Sequence, residues 1–362
     1  MSKLCTVSVN EERFVARRGD ILLDAALAHG IEVPHDCRSG HCGTCTVRIR
    51  DGLAIGGDCG TDGMVRACQA RVLTDLDLLI EPVPDAVTTR GVVTGVKQLA
   101  PDIVELRIHL AKPVIYLPGQ YYKFQFAGYP PRCFSPTRPM QGTREGNAIR
   151  LHIRRVPEGR VSSAVGSVIR QGHPVRVNGP YGAAYLRPGQ SNRLVLVSSG
   201  TGFAPIWAIA RAAIEENANR PMVMVLGAKN IDGLYMGAAA RMLSRNRNVS
   251  IVPVIDQMSK GVSRMVRQGR PTDHLPALSP DDIIYGCGAP PMVEALRAQA
   301  ASAGAMYYAD PFVPQIDETQ YDFFSRLVDR VGGFWASQEP SRLPSPDAAP
   351  YDGRPAQKGG QQ

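Results

Sequence analysis

The chain has 362 residues, enough for two or three domains rather than one, and its 44% hydrophobic and 20% charged content is that of a soluble globular protein. No uninterrupted apolar run is long enough to span a bilayer, so a membrane role is not expected. The net charge of +8 is unevenly spread: residues 1–84 carry nine Lys/Arg against twelve Asp/Glu, residues 313–362 five against seven, and residues 85–312 twenty-seven against fourteen. No basic stripe with interleaved aromatics accompanies that positive centre, which excludes nucleic acid as the expected partner and favours anionic dinucleotides.

Residues 1–10 lack the charged-then-apolar pattern of a signal peptide and read as a strand. Strands are expected over 6–10 and 13–17. A helix follows over 21–29, capped by Asp20, with Ile21, Leu23, Ala26 and Leu27 available for the core and Gly30 ending it in the left-handed conformation. The stretch 36–69 then carries the most specific signal in the chain. Cys37, Cys42 and Cys45 have C-x4-C-x2-C spacing, and Gly40 and Gly43 allow the loop to curl so that backbone N–H groups point inward. Zinc sites favour two separated C-x2-4-C pairs, and here Cys42 and Cys45 form a single such pair. Zinc, or ordinary buried cysteines, remain the competing readings. A strand over 46–50, a Gly-rich segment and strands at 71–73 and 78–80 complete a small sheet over one helix. Eight cysteines, four of them at cluster spacing, argue for a reducing, cytoplasmic setting.

The spacing is that of plant-type ferredoxins, and the stretch resembles the ferredoxin domain of the NADH-dependent reductases that serve bacterial multicomponent oxygenases. That resemblance implies a β-grasp domain over 1–84 holding a [2Fe–2S] cluster on Cys37, Cys42, Cys45 and a fourth thiolate. Cys68 is the choice for the fourth, because Val65-Arg66-Ala67-Cys68-Gln69-Ala70 resembles the family's closing motif and leads into a strand. Cys59 competes for the role. It lies among Gly56, Gly57, Gly60 and Gly63, in a loop shorter than in most relatives, which reads as exposed and mobile. Pro82-Val83-Pro84 is a stiff linker to the next domain.

Residues 86–189 show short strand-like runs at 90–98, 103–109, 121–125, 148–154 and 175–178, punctuated by turn residues, a rhythm that predicts a small antiparallel β-barrel. Within it Arg132-Cys133-Phe134-Ser135 resembles the R-x-[YF]-S signature of the ferredoxin-reductase flavin domain. Arg132 offers a permanently charged fork to a pyrophosphate, Phe134 a ring face to the isoalloxazine, and Ser135 a hydroxyl near flavin N5. Alone, four residues are weak evidence, and without context a core Phe beside a surface Arg explains them better. Leu151-His152-Ile153-Arg154-Arg155 followed by Gly159-Arg160-Val161-Ser162-Ser163 looks like the family's second flavin segment. There Gly159 permits close approach and Val161 and Ser162 open a helix able to bind phosphate. Asn178-Gly179-Pro180-Tyr181-Gly182 completes the order, and the ferredoxin-first arrangement implies FAD.

From residue 190 to 312 strands alternate with helices: strands at 194–198, 222–226, 249–255 and 283–285, helices at 204–216, 234–244 and 292–302. This predicts a doubly wound α/β nucleotide-binding domain. Gly200-Thr201-Gly202 with Pro205 is a partial match to G-x-G-x-x-G, and a plain Gly-rich connection is its competing reading. Gly286-Cys287-Gly288-Ala289-Pro290-Pro291-Met292 resembles the family's C-G-x-P-x-M loop, implying Cys287 and Gly288 beside the nicotinamide; otherwise Cys287 is a small buried hydrophobe. The loop 227–232 lacks an Arg cluster for a 2′-phosphate, which favours NADH, although Lys229 could touch one. By the same resemblance Phe312 covers the flavin face that the nicotinamide must reach. Its alternative is a packed core Phe.

Residues 313–362 fall outside the resemblance. Tyr321, Phe324, Val328, Val331 and Trp335 repeat at three and four, predicting an amphipathic helix over 317–331, with disorder over 338–362. The expected activity is NADH-dependent electron transfer through FAD and [2Fe–2S] to an oxygenase component, either Rieske-type or di-iron, or to an intermediary ferredoxin. Ser135, Cys287 and Phe312 stand at the reacting centre. A reductase for a deoxysugar dehydratase, a redox-sensing interaction protein and a free-flavin reductase are the alternatives.

Overall fold

The computed structural model describes residues 3–59, 63–142, 146–259 and 261–313. The helix expected over 317–331 and the disorder expected over 338–362 lie outside the described residues. The N-terminal sheet comprises β1 (Leu4–Val9), β2 (Glu12–Arg17), β3 (Thr46–Ile55), β4 (Met64–Arg66) and β5 (Arg71–Leu79), in the order β2-β1-β5-β3-β4. Strict alternation buries Cys5, Val7 and Val9 on one face, where Leu22, Leu23, Ala25 and Ala26 of α1 (Leu22–Ala28) cover them. Asp20 does not cap this helix. Ile21 is extended because it bridges Arg71, and so becomes the N-cap, while the Asp20 carboxylate accepts the Arg17 N–H at 2.9 Å. Gly30 does end the helix at a φ of 75°, with Ile31 N–H donating to Ala26 O at 3.0 Å. The separate strands expected at 71–73 and 78–80 are one strand. It pairs with a β3 twice the expected length through two register shifts, and at Gly52 a Cβ would fall 1.9 Å from Asp75 O.

The second sheet is antiparallel: β6 (Val87–Ala100), β7 (Ile103–Leu110), β8 (Tyr121–Phe126), β9 (Arg132–Phe134), β10 (Ala148–Arg154) and β11 (Pro174–Tyr181), ordered β10-β7-β6-β11-β8-β9. The expected barrel takes the form of a curled half-barrel whose edges meet through an isolated bridge, Thr137 to Arg150. With three residues, β9 is too short to close a ladder along β10. Phe124, Phe126, Leu106, Ile108, Leu151 and Ile153 fill its concave side.

The third sheet is wholly parallel. It contains β12 (Leu194–Ser199), β13 (Met222–Ala228), β14 (Val249–Ile255), β15 (Arg267–Gln268), β16 (Ile283–Gly288) and β17 (Met306–Pro311), ordered β15-β14-β13-β12-β16-β17. Helices α2 (Phe203–Glu216), α3 (Gly237–Leu243) and α4 (Pro290–Ser302) connect the strands. Order reverses between β12 and β16, the switch point at which such sheets open a crevice beyond the strand ends. Helix α2 is apolar nearly all round, and the packing explains why. One side covers the sheet; on another, Thr137 Oγ1 donates to Ala204 O and Trp207 Nε1 to Arg138 O, both at 2.9 Å, joining it to the half-barrel.

Candidate cluster centre and flavin–nicotinamide junction

The loop between α1 and β3 has no regular structure, and Arg38, Gly40 and Gly43 all adopt positive φ within it. That curl aims donors at sulfur. The N–H groups of Ser39 and Cys42 each lie 3.4 Å from Cys37 Sγ, and the Thr44 hydroxyl donates to Cys42 Sγ at 3.2 Å. Cys68, in the turn after β4, is brought to the loop by Ala67 N–H donating to Cys45 O at 2.9 Å. The thiols meet in two pairs: Cys37 with Cys42, and Cys45 with Cys68, with Cys37 close enough to act on Cys45. The Cys42 hydrogen bond holds Cys37 down at about 3, whereas burial pushes Cys45 up to about 12. Two adjoining pairs of thiols suit a two-iron core. The donor set therefore fits a [2Fe–2S] cluster. Cys59 is not the exposed residue expected from its glycines. It is half-buried, donates to Met64 O at 3.2 Å and packs against the core of the third domain.

In the half-barrel, Arg132, Cys133 and Phe134 are all half-buried, and Phe134 lies 6.0 Å from the Phe124 ring. Ser135 is buried and its hydroxyl donates to Asp310 Oδ2 at 2.9 Å. Leu151 and Ile153 belong to the core, and His152 is engaged by Tyr235 OH at 3.0 Å and Glu105 at 3.7 Å. The outer rim of β10 is taken up at Arg150, whose carbonyl accepts Thr137 N–H at 2.9 Å; Leu151 and Ile153 turn their backbone to β7, and His152 turns its backbone outward. Gly159 lies in a tight turn where a Cβ would meet Ser162 Oγ at 2.4 Å. Val161 and Ser162 do not open a helix: Ser162–Ala164 is a single 3-10 turn, followed by Gly166 at a φ of 94°, and the Ser162 hydroxyl accepts Val156 N–H at 3.2 Å.

At the switch point Gly200, Thr201 and Gly202 form a 3-10 turn into α2, whose first turn holds Pro205. This turn packs directly on the end of β16. A Cβ on Gly202 would fall 2.0 Å from Cys287 O, and one on Gly288 would fall 2.4 Å from Ser199 Oγ. The Arg154 guanidinium lies against Gly200, 3.2 Å from its Cβ position. Cys287 is wholly buried; burial pushes its thiol up, and the neighbouring Asp310, its register partner on β17, adds to this. Phe312 is half-buried, and its N–H donates to Gly288 O at 2.8 Å. Ser135, Cys287, Asp310 and Phe312 thus meet where the half-barrel touches the carboxyl ends of β16 and β17. Asp310 had no assigned role in the sequence reading. Burial pushes its carboxyl up to about 6, against the pull of the Ser135 hydrogen bond. The signal was an acid at the end of an apolar strand, legible only once 306–311 is seen to be that strand.

Family models match three consecutive regions: a 2Fe-2S iron–sulfur cluster binding domain over residues 5–73, an oxidoreductase FAD-binding domain over 90–185 and an oxidoreductase NAD-binding domain over 196–298. The ferredoxin–NAD(P)+ reductase component of a naphthalene 1,2-dioxygenase system from Pseudomonas putida is 31% identical over 319 residues, 82% of this chain and 94% of its own. The corresponding component of a naphthalene 1,2-dioxygenase/salicylate 5-hydroxylase system from Ralstonia sp. is 35% identical over 320 residues, 83% of this chain and 95% of its own. Among solved structures, an Amycolatopsis cytochrome P450 reductase superposes with a TM-score of 0.63 at 26% identity, covering 86% of this chain and 99% of that one. The ferredoxin reductase of a carbazole 1,9a-dioxygenase shares the fold at a TM-score of 0.60, 22% identity and the same coverage. With three cofactor domains in this order and such identity along nearly the whole of its relatives, the chain belongs to the ferredoxin–NAD(P)+ reductase components of dioxygenase and monooxygenase systems.

Proposed function

We propose that this chain takes electrons from NADH and delivers them singly, through its FAD and [2Fe–2S] domains, to an oxygenase component or an intermediary ferredoxin. The observation that carries the reading is the Ser135–Asp310 hydrogen bond of 2.9 Å, which ties the flavin signature to the nicotinamide crevice across 175 positions of sequence. When bound, the nicotinamide supplies a hydride, the flavin accepts the pair and releases single electrons, and the cluster carries one at a time. The protein's part is positioning. Arg132 is offered to the flavin pyrophosphate, the β10 segment Leu151, His152 and Ile153 to the ring, with His152 the one whose backbone faces outward, and the turns at Gly159, Val161 and Ser162 to phosphate. Gly200, Thr201, Gly202, Pro205 and Gly288 shape the dinucleotide turn, and Phe312 and Cys287 flank the nicotinamide. Cys37, Cys42, Cys45 and Cys68 are the cluster ligands. The domain limits that go with this assignment are 1–84, 86–189 and 190–312. No described helix is long and apolar enough to cross a membrane, and eight cysteines with no disulfide among the described residues support a reducing cytoplasm.

The test is anaerobic mixing of the reconstituted protein with NADH. Flavin bleaching followed by an electron paramagnetic resonance (EPR) signal from the reduced cluster supports the relay, and a cluster that stays oxidised overturns it. Coenzyme choice is tested by kcat/KM. NADH should exceed NADPH by at least about tenfold, because the loop after β13 offers Lys229 in place of an arginine cluster. A second measurement bears on Asp310. Above pH 6 its carboxylate fixes the Ser135 hydroxyl; below, the neutral acid is a weaker acceptor. The rate of flavin reduction should therefore fall as pH drops through about 6. Asp310→Asn should lose that bend and run roughly tenfold slower at pH 8, the value of one hydrogen bond to a charged group.

A further inference from the structure

Thr44 stands between two proposed cluster ligands and also touches the flavin domain. Its hydroxyl donates to Cys42 Sγ at 3.2 Å, and its oxygen accepts the backbone N–H of Gly182 at 3.0 Å. Beside it, a Cβ on Gly43 would lie 3.3 Å from Ala183 Cβ, so the two backbones run in contact. The loop is gripped at its other end by Asp36, whose side chain is 7% exposed. Its carboxylate accepts the Tyr121 hydroxyl at 2.7 Å and is ion-paired with Lys123. Tyr121 and Lys123 stand on β8, and Gly182 lies just beyond β11, the strand next to it. The two contacts therefore come from one patch of the flavin sheet and fall on Asp36, next to Cys37, and on Thr44, two residues from Cys42 and next to Cys45.

A threonine hydroxyl has one proton to give and can turn it in several directions. An N–H donor seated on the oxygen polarises the O–H and strengthens its bond to sulfur. Hydrogen bonds to ligand sulfur stabilise the extra negative charge of a reduced cluster and so raise its potential. We propose that Thr44 is a positioning residue that couples seating of the ferredoxin domain on the flavin domain to the ease with which the cluster takes an electron. The inference rests on the relay proposed above. The step concerned is one electron passing from reduced flavin to oxidised cluster, one iron going from ferric to ferrous, with no bond made or broken. Once the domains part, Gly182 no longer holds the hydroxyl, the cluster becomes the stronger reductant, and the electron is more readily passed on.

The test is an EPR-monitored redox titration of the holoenzyme, comparing wild type, Thr44→Val, Thr44→Ser, a Tyr121→Phe/Lys123→Met double variant and the triple variant with Thr44→Val. The cluster potential should fall in Thr44→Val and in the double variant, fall no further in the triple than in Thr44→Val, and stay near wild type in Thr44→Ser. Reduction of cytochrome c through the cluster should drop about tenfold in the Thr44→Val and double variants, while NADH-to-ferricyanide activity, drawn from the flavin, stays within about twofold. An unchanged potential in Thr44→Val overturns the proposal. So does a fall in Thr44→Val that the double variant does not share, since Thr44 would then act on its own cysteine without domain coupling. Should Thr44→Val fail to hold a cluster, the double variant, which leaves the cluster loop intact, decides by the same potential. A failure of the relay itself is read separately, as a wild-type cluster that NADH cannot reduce.

Discussion

Cys68→Ser is expected to abolish the visible absorbance and EPR signal of the cluster and to lower cytochrome c reduction by more than about a hundredfold, whereas Cys59→Ser should keep both. The argument is geometric first. The Cys68 side chain is 5% exposed and is held against Cys45 by a turn whose backbone is fixed on two sides: Leu23 N–H donates to Ala67 O and Ala67 N–H to Cys45 O. The same turn is backed by the glycine segment that precedes it, where a Cβ on Gly57 would lie 2.6 Å from Arg66 O. Cys59, by contrast, is committed to Met64 and the third domain. The argument is chemical second, because a serine oxygen is harder and far less acidic than the soft thiolate that iron–sulfur cores select. Ferricyanide reduction, which needs the flavin alone, should survive in Cys68→Ser. An intact spectrum in Cys68→Ser together with a lost one in Cys59→Ser would reverse the assignment.

Arg187→Ala should lower the melting temperature by roughly 5–10 °C, corresponding to about 3 kcal/mol. Arg187 is 6% exposed and binds the three domains at one point. Its guanidinium lies 3.8 Å from the Tyr185 ring and 3.6 Å from the Tyr308 ring of β17, and Nε donates to Glu81 Oε2 at 3.1 Å. Nη1 donates to the carbonyls of Ala183 and Tyr185, and Tyr185 OH donates to the same Glu81 oxygen at 2.8 Å. Glu81 ends the ferredoxin domain, Tyr185 follows the half-barrel and Tyr308 belongs to the parallel sheet. Truncation leaves two carbonyls without their donor and a carboxylate without its cation, while Glu81, being partly exposed, recovers some water. Arg187→Lys should not restore stability, because an ammonium cannot stack flat between two rings while donating to three oxygens. Differential scanning calorimetry of both variants checks this; an unchanged transition in Arg187→Ala would show that the domains are held elsewhere.

What was legible in the sequence was chemistry carried by neighbours. Cys37, Cys42 and Cys45 sit eight residues apart from first to last, so one loop with two positive-φ glycines can converge them, and spacing alone announces it. Gly200–Gly202 and Gly288 are of the same kind, each the residue type that a close backbone approach demands. Element limits were less legible wherever a partner strand sets them. The lengths of β3 and β5 follow from pairing with each other, and the lost Asp20 cap follows from the bridge between Ile21 and Arg71. The helix expected at Val161 and Ser162 ended after one turn for the same reason: Val165 bridges Ile169 and takes the backbone elsewhere.

The local sequence by itself determined the three-domain order, the cofactor class of each domain and the candidate residues for each cofactor, because short-range spacing dictates loop geometry. The tertiary structure decided which distant groups complete them. Asp310 reaches Ser135, Gly182 reaches Thr44 and Arg187 reaches Glu81 across 175, 138 and 106 positions of chain. Nothing in the residues between them encodes those meetings. They arise from the way three sheets bury their remaining polar groups against one another, and a buried donor must find its acceptor wherever the packing brings one.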